Sequence, residues 1–483
     1  MSEPAILYVP EWILGAKMFF LQPLSLCEKF ITNINLALQK LGANKLSASQ
    51  CLWFSICITG VIVTNSVCWK RFERSCFGEF CAGTISKMFK RSKICWDSIL
   101  HASILNVFLQ YKITKGILAL DDTDNKRSKK TTKIAKAHKL KDKASGGFVN
   151  GQALTFLILI TDKVTIPVGF AFYEPDPDYR AWKKTDKELR KQGISKKERP
   201  QKPEKNEIYL TKQEVGLMLL KQFKNDYPEI AIQAILADAL YGSGGFVHTA
   251  ATIHPNVQII TQARSNQLIK DKNKYISIKE YFRRNCGVTC SLKIRGGKEK
   301  QVFMHGARLY LKAHGCKRFI VALKYEGEEE YRYLLASELT WRLTDIATAY
   351  TLRWLVEVFI QDWKSYEGWC QLAKQTGIDG SCRGVILSLL VDHCLLLHPE
   401  QIALIENKLP AATVGSLRDK ERATAIIESI ESLVSDKKSS EIIRHLKNSI
   451  ADVIPLRKSS KHMSGRDLGR LKPTASLKYR AAA

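Results

Sequence analysis

Four polar residues in the C-terminal half of the chain stand at spacings that bring them together on a helix. At 100° per residue they fall within a stripe of about 60°; they are Tyr350, Arg353, Glu357 and Lys364. The opposite side of the helix is apolar, and Asp362, which lies outside the stripe, is expected at the surface. A carboxylate flanked by two cations and a phenol can bind a metal ion beside a phosphate, although a solvated surface helix shows the same pattern.

Three more carboxylates follow apolar runs that are typical of β-strands. One run ends at Asp121 and Asp122, and another ends at Asp238. If the two strands are parallel neighbours, Asp122 and Asp238 meet at one edge of the sheet, and a packed helix can add Glu357. Alternation along the strand does not choose between Asp121 and Asp122, because the register is unknown. Such hard oxygen ligands suit Mg²⁺ or Mn²⁺, and a pair of these ions activates water for phosphoryl transfer.

The same residues form sequence motifs. The longest is Tyr350-x₂-Arg353-x₃-Glu357-x₆-Lys364, and two shorter ones are Asp121-Asp122-Thr123 and Asp238-Ala-Leu-Tyr241 with Phe246. Together they resemble the YREK signature and the two acidic motifs of DDE transposases from bacterial insertion sequences of the IS-four type. The resemblance covers residues 117–367.

This resemblance implies an α/β fold, with an RNase H-like mixed-sheet catalytic core, a β-rich insertion, and flanking helical N- and C-terminal regions. It also implies that Mg²⁺, or alternatively Mn²⁺, is bound by Asp122, Asp238 and Glu357. The family motif places its first ligand directly before the threonine, which selects Asp122; Asp121 is the second choice and Asp124 the third. The other signature residues would contact DNA phosphates: Tyr350, Arg353 and Lys364.

The activity implied is cut-and-paste transposition. The enzyme nicks DNA at the terminal inverted repeats of its element, and the freed 3′-hydroxyl attacks the opposite strand to form a hairpin, or later the target DNA. A homodimer is expected in the synaptic complex. Family members hold a flipped base on an aromatic residue of the insertion; no Trp occupies that stretch, and Tyr331 and Tyr333 are the nearest aromatics. Two alternatives are an inactive or domesticated DNA-binding protein and an RNase H-like nuclease without joining activity.

Apolar periodicity and the motifs divide the chain into five regions. Residues 1–110 are expected to be mainly helical and to bind DNA, and Ser47 with Gln50 predicts a capped helix start there. Residues 111–250 form the first part of the catalytic core, 251–340 the β-rich insertion, and 341–400 the continued core with the Glu helix. Residues 401–483 form a helical region and a basic tail.

The charge distribution points to a polyanionic partner. Lysine and arginine total 75 against 47 acidic residues, a formal charge of +28. Most of the excess lies in three runs, Lys126–Lys143, Ala181–Asn206 and Pro455–Ala483, and Lys126 and Arg127 follow the first acidic motif directly. One such run is typical of a solvated face, whereas three favour nucleic acid. Ordinary apolar and charged fractions of 45% and 25% exclude a disordered or collagen-like chain.

The remaining signals concern cysteines and membranes. Thirteen cysteines without a repeated spacing, and no signal peptide, favour reduced cytoplasmic thiols. The resemblance implies that this cytoplasm is bacterial and that the protein is associated with the nucleoid. The spacings around Cys286 and Cys290 fit no familiar zinc module. An uncharged stretch from Cys51 to Cys68 barely reaches the length of a membrane span and contains several polar residues, so a buried helix and no membrane partner are expected.

Overall fold

The computed structural model describes residues 22–76, 80–127, 133–142, 146–285, 287–293, 299–369 and 375–433, and residues 456, 457, 459, 461 and 462. The chain divides into two compact units. A helical unit comprises Met1–Thr114, Asp162–Ile166 and Glu357–Asp467, and a sheet unit comprises Lys115–Thr161, Pro167–Val356 and Leu468–Ala483.

The described α-helices follow the chain in this order: α1 (Ser25–Lys40), α2 (Ala48–Thr64), α3 (Trp69–Ser75), α4 (Ala82–Arg91), α5 (Trp96–Tyr111), α6 (Pro177–Lys191), α7 (Lys212–Asp226), α8 (Gly244–Ile253), α9 (Ile278–Arg283), α10 (Leu343–Thr351), α11 (Trp354–Tyr366), α12 (Gly377–Leu396), α13 (Pro399–Glu406) and α14 (Val414–Leu433). The strands are β1 (Lys115–Lys126), β2 (His138–Lys141), β3 (Phe148–Ile160), β4 (Thr165–Tyr173), β5 (Ala231–Leu236), β6 (Gln258–Ala263), β7 (Leu268–Asp271), β8 (Lys274–Ser277), β9 (Val288–Lys293), β10 (Glu299–Leu311), β11 (Cys316–Tyr325) and β12 (Arg332–Ala336).

Two apolar helices, α2 and α12, form the core of the helical unit and are buried on most sides. The predicted start of α2 is confirmed. The N–H of Gln50 donates to the Ser47 hydroxyl, and the N–H of Ser47 donates to the Gln50 side chain, which satisfies two amide groups at the helix end. Edge-to-face and tilted ring contacts then pack α2 to α5 together through Trp53, Phe54, Trp69, Phe89 and Trp96.

Among the described residues, no single helix is long and apolar enough to cross a bilayer. Two bent pairs of helices, α2 with α3 and α12 with α13, meet the length and composition requirements only when each pair is taken together.

One mixed sheet of twelve strands forms the sheet unit. Its strand order is β2-β3-β1-β5-β6-β12-β11-β10-β7-β8, with β4 also paired to β3 and β9 to β10. β1 is antiparallel to β3 and parallel to β5, and β5 is parallel to β6. The antiparallel strands β12, β11 and β10 continue the same sheet from β6. An α/β architecture with a parallel centre is therefore present.

The signature from Tyr350 to Lys364 is divided between two helices, so the prediction of one continuous helix is wrong. α10 and α11 are separated by a short turn in which the N–H of Arg353 donates to the carbonyl of Tyr350, only three residues earlier. Such tight turns rotate and advance the chain differently from an α-helix. The ideal-helix angles therefore hold only within α11, which carries both Glu357 and Lys364.

Candidate active site

The register of β1 against β5 places two carboxylates at the same level of the sheet. The parallel pairing ends with Ala119 opposite Leu236, and Asp121 and Asp238 stand two residues further along. Since residues two apart lie on the same face of a strand, both carboxylates are expected on one face. Asp238 then begins a short 3₁₀ turn, where its Oδ1 accepts a hydrogen bond from the N–H of Leu240 at 2.8 Å. The two strands are parallel neighbours, which is the condition under which sequence analysis expected the carboxylates to meet.

Asp121 lies between a cation and other carboxylates. Nη1 of Arg353 donates to its Oδ2 at 2.9 Å, and the Asp121 side chain is 17% exposed. Burial raises the pKa of Asp121 to about 6; Arg353 and the N–H of Asp122 oppose this rise, while the charges of Asp238 and Asp122 add to it. One guanidinium therefore leaves the negative charge at Asp121 only partly compensated.

Asp122 lies on the other face of β1 and has three donors. The Thr155 hydroxyl donates to its Oδ1 at 2.6 Å, and the Tyr241 hydroxyl donates to the same oxygen at 3.0 Å. Nζ of Lys212 pairs with its Oδ2 at 2.9 Å. Both oxygens of Asp122 are thus engaged within the sheet unit.

Tyr350 and Arg353 lie beside Asp238 and Asp121. The Tyr350 hydroxyl donates to the carbonyl of Ala237 at 3.4 Å, and Cζ of Arg353 lies 5.9 Å from the centre of the Tyr350 ring. Burial raises the pKa of Tyr350, and the nearby Asp238 and Asp121 act in the same direction against Arg353. The phenol is therefore a neutral hydrogen-bond donor at physiological pH. Two signature residues and two carboxylates share one neighbourhood.

A cavity of about 520 Å³ opens next to this neighbourhood. Tyr350 and Arg353 line it from α10 and the turn after it, and β11 contributes Tyr325. Lys300 and Arg332 both lie over the Tyr325 ring, at 6.0 and 5.2 Å from its centre. The cavity thus has an aromatic wall with cations on its ring, and two acidic residues, Glu326 and Glu328, also line it.

Glu357 and Lys364 belong to the helical unit. Glu357 is exposed in the first turn of α11, and Lys364 is half-buried in its last turn. The expectation of a surface position for Asp362 is wrong, because this residue is half-buried close to Lys461. Burial raises the pKa of Asp362, and the charge of Lys461 opposes that rise.

Other predicted DNA contacts have partners within the protein. Lys126 pairs with Asp142 at 2.7 Å while its own side chain stays 59% exposed. Nε and Nη2 of Arg127 donate to Oε1 of Gln152 at 3.1 and 2.9 Å. The rest of this basic run is described only in part, since residues 128–132 and 143 lie outside the described residues, as does most of 455–483.

The two aromatic residues named for a flipped base differ in exposure. Tyr333 is buried in β12, whereas Tyr331 is half-buried and has Nζ of Lys324 5.1 Å from the centre of its ring. Tyr325, which sequence analysis did not single out, lines the cavity described above.

The donor chemistry of Asp121 and Asp238 fits a hard divalent cation. Both offer carboxylate oxygens at the end of the parallel strands, and the raised pKa of Asp121 indicates negative charge that a cation would stabilise. No group of three or more His, Cys, Asp or Glu side chains in the described part of the chain has the arrangement of a complete metal site. The described residues of the sheet unit therefore offer carboxylates at this edge without a complete set of metal ligands.

Sequence analysis missed two residues that hold Asp122. Lys212 lies at the start of α7 and Thr155 in the middle of β3, 33 residues from Asp122 along the chain. Nothing in their local sequence marks them, because their role depends on which strands and helices become neighbours. The capping box of Thr211 and Glu214 does predict the start of α7 and so the position of Lys212.

No protein-family model matches the sequence, and no curated protein matches it. Among solved structures, the chain is similar to one described as "Cryo-EM structure of piggyBac transposase synaptic complex with hairpin DNA (SNHP)". The two share 10% sequence identity, with 92% of this chain and 86% of that chain covered and a TM-score of 0.41. A likeness this weak shows neither family nor function.

Proposed function

We propose that this protein is a DNA transposase of the DDE type. It would cleave DNA at the ends of an insertion sequence and transfer the freed strands into target DNA. The observation that carries the proposal is the placement of Asp121 and Asp238 at the same level of adjacent parallel strands, with Arg353 and Tyr350 beside them. Carboxylates for a metal ion and donors for a phosphate thus occur together, as the YREK resemblance requires.

The fold supports an RNase H-like core. Its centre is the mixed arrangement β4-β3-β1-β5-β6, with an antiparallel side and a parallel side that meet at β1. The carboxylates Asp121 and Asp122 lie in β1 and Asp238 follows β5, just beyond the parallel pairing of these two strands, and the strand direction changes on the other side of β1, between β1 and β3. The antiparallel strands after β6 correspond to the proposed β-rich insertion.

The proposed metal ligands are Asp238, Glu357 and one carboxylate of the Asp121–Asp122 pair. The motif favours Asp122, but the contacts favour Asp121, because it shares the neighbourhood of Asp238 and Arg353 whereas Asp122 is held by three donors on the other face. Mg²⁺, or Mn²⁺ in its place, would lower the pKa of the attacking water and stabilise charge on the leaving oxygen.

The protein's own residues would hold the scissile phosphate in place. A guanidinium has five N–H donors, so Arg353 can contact a phosphate while it keeps Asp121 in position. The neutral Tyr350 hydroxyl adds a donor without adding charge. Lys364, in the last turn of α11, is proposed to contact a second phosphate. Correct positioning of the reacting groups lowers the barrier without any chemical role for these side chains.

A hairpin intermediate is part of the proposal. It requires a place for an unstacked base, and the cavity of about 520 Å³ with Tyr325 in its wall supports this step. Two ends of the element must meet for cut-and-paste transposition, so a homodimer in the synaptic complex is proposed too. Such a protein acts on its terminal inverted repeats and target DNA in the bacterial cytoplasm, at the nucleoid.

The test is nicking and joining of a labelled terminal repeat. Candidate ends are taken from the DNA that flanks the reading frame, and purified full-length protein is assayed with Mg²⁺ and with EDTA. We expect Mg²⁺-dependent nicks at the repeat boundary and transfer of a supplied 3′-hydroxyl end into plasmid DNA. Cutting without joining would identify a nuclease, and binding without cutting would identify an inactive DNA-binding protein.

Glu357→Gln is the matched variant for this assay, since it keeps the size of the side chain and removes its charge. We expect gel-shift binding to survive and nicking to be lost. Glu280→Gln, an exposed carboxylate of α9 with no proposed role, is the control. Wild-type nicking by Glu357→Gln would refute its proposed role as a ligand.

A further inference from the structure

Helix α6 and the segment after it belong to the sheet unit but contribute almost no buried side chains to its core. None of the residues of α6 is buried. Its contacts run instead to the following segment: Nε1 of Trp182 donates to the carbonyl of Pro200 at 2.8 Å, and Nη1 of Arg199 pairs with Asp186 at 2.8 Å. A helix without a buried face contributes little to the stability of a core, so another role is needed to explain it.

Charge on α6 is separated between its two sides. At 100° per residue, all six cations fall within an arc of about 120°, here called the basic face: Arg180, Lys183, Lys184, Lys187, Arg190 and Lys191. Every one of the six is exposed. The acidic residues and the half-buried Trp182 lie on the remaining side, towards the segment that contains Pro200.

The basic face begins close to the candidate active site. Arg180, at its N-terminal end, acts electrostatically on His138 and Tyr173. Nζ of Lys212 lies 5.4 Å from the centre of the same Tyr173 ring and pairs with Asp122 at 2.9 Å. Cations therefore continue from α6 to the strand that carries Asp121 and Asp122.

We propose that the basic face of α6 binds the phosphate backbone of the duplex DNA on which the candidate active site acts. This inference rests on the proposed function for the identity of the DNA. The occupant is chosen by charge complementarity and length. Fifteen residues of helix span about 22 Å, and duplex DNA carries one charge per about 1.7 Å of its axis, so several phosphates can face the cations at once. The contacts are to phosphates and carry no sequence preference.

The test removes three of the six cations of the basic face. The variant Lys183→Gln/Lys187→Gln/Arg190→Gln is compared with Lys270→Gln/Lys272→Gln/Lys274→Gln, which loses the same charge from exposed positions on the β7–β8 hairpin. Binding of the full-length proteins to a 30-base-pair duplex, which is about 100 Å long, is followed by fluorescence anisotropy at several salt concentrations. Circular dichroism and thermal melting check that both variants fold.

The loss of three phosphate contacts should reduce the slope of the logarithm of the binding constant against the logarithm of the salt concentration by about 3. The affinity at 0.1 M salt should fall on the order of 10²-fold. The loss should be equal for an arbitrary duplex and for one that carries the terminal repeat. An unchanged slope would overturn the proposal, because the three cations would then make no phosphate contacts. An equal change in the β7–β8 variant would overturn it too, because binding would then depend on net charge alone. A loss confined to the terminal repeat would overturn it also, since the face would then distinguish bases.

This outcome can be separated from the test of the proposed function, because binding to an arbitrary duplex requires no cleavage. If wild-type protein nicks terminal repeats and the α6 variant binds normally, only the role of the basic face is refuted. If wild-type protein never nicks but the α6 variant loses its salt-dependent contacts, only the proposed transposase activity is refuted.

Discussion

Within the described part of the chain, carboxylates cluster in the sheet unit and in the helical unit, and the two clusters have different surroundings. In the sheet unit, Asp121 and Asp122 both have side chains that are 17% exposed, and each pairs with a cation that also reaches solvent, Arg353 or Lys212. Asp238 accepts a backbone hydrogen bond at the same edge. Solvent and ions can reach these groups.

The second cluster, called the Lys461 cluster, lies in the helical unit and consists of the buried Glu367, Asp392 and Lys461 together with the half-buried Asp362. The side chains of Lys461 and Asp392 form an ion pair and are 1% and 0% exposed. Neither carboxyl oxygen of Glu367 has a hydrogen-bond partner among the described residues, and Oδ2 of Asp392 has none either. Although burial lowers the pKa of Lys461, the three carboxylates around it outweigh that effect and raise it.

The contrast shows that grouped carboxylates alone do not identify an ion-binding site. In the sheet unit, the carboxylates are partly exposed and their cations also reach solvent, an arrangement that suits the proposed binding of a cation and a phosphate. In the Lys461 cluster, a single ammonium from a distant part of the chain faces three carboxyl groups and is buried with two of them, Asp392 and Glu367. The first arrangement suits a site at which a reaction takes place. The second holds the segment around Lys461 against the helices, and the desolvation of its charged groups opposes this stabilisation. Variants can separate these roles.

The largest expected effect distinguishes Asp121 from Asp122. If the contacts identify the ligand, Asp121→Asn should reduce Mg²⁺-dependent nicking by about 10³-fold or more, as should Asp238→Asn, and the double variant should lose little further. Asp122→Asn should cost less, since it only disturbs a side chain that Lys212 and Thr155 hold. The measurement is single-turnover nicking with gel-shift binding as a control, and Asp124→Asn, an exposed carboxylate of β1, provides the matched variant. The reverse order of severity would return the ligand role to Asp122, as the motif predicts.

The second effect is on stability alone. Lys461→Met leaves Asp392 buried beside two other carboxylates without a counter-charge, which should lower the free energy of unfolding by about 3–5 kcal/mol. Adding Asp392→Leu should recover much of that loss, because no buried charge then lacks its partner. Urea denaturation measures both, and nicking at a temperature where the variant stays folded should be nearly normal. Nicking that fails in the folded double variant would show that the Lys461 cluster also acts on the active site.

Several of the elements that position the two clusters could be predicted from sequence, since they depend on local patterns. Apolar runs predicted β1, β3, β4 and β5 because buried strands exclude charge along their length. The carboxylates that interrupt those runs were expected to meet if their strands were parallel neighbours, and β1 and β5 are parallel. The helix start at Ser47 followed from capping chemistry that involves only four consecutive residues.

What the sequence could not predict depends on long-range pairing. The choice of face for Asp121 needs the register of β1 against β5, which no local pattern sets. The break before Arg353 separates the signature into two helices although its apolar period continues across the break. Lys461 reaches Asp392 across 69 residues of chain, and in sequence it is one more cation of a basic tail.

A smaller effect is expected for the phosphate contacts. Arg353→Ala and Lys364→Ala should each slow nicking by about 10- to 100-fold, because they misplace the DNA and leave the carboxylates intact. Low salt should restore part of the rate, whereas it should not rescue Asp238→Asn. Arg284→Ala, which removes an exposed guanidinium of the sheet unit paired only across a helix turn with Glu280, is the control. Rates that do not respond to salt would argue for a structural role of Arg353 through Asp121 instead.

The smallest effect concerns the pH dependence of stability in the Lys461 cluster. Burial raises the pKa of Glu367 well above its usual value, and the nearby Asp392 adds to this while Lys461 opposes it. The folded protein therefore keeps a proton that the unfolded chain releases above its own pKa of about 4.3. The stabilisation linked to that proton is complete below this pH and is lost as the pH rises towards the folded pKa. Glu367→Gln does not titrate and resembles the protonated form.

Between pH 5 and 8, the melting temperature of Glu367→Gln should thus fall less than that of wild-type protein. The corresponding difference in the free energy of unfolding should grow by at most about 1.4 kcal/mol per pH unit. Asp379→Asn, which removes an exposed carboxylate from the start of α12, should leave the wild-type pH dependence unchanged. Parallel curves for Glu367→Gln and wild-type protein would mean that Glu367 is ionised in the folded state. The Lys461 cluster would then resemble the carboxylates of the sheet unit in charge, and burial alone would distinguish the two.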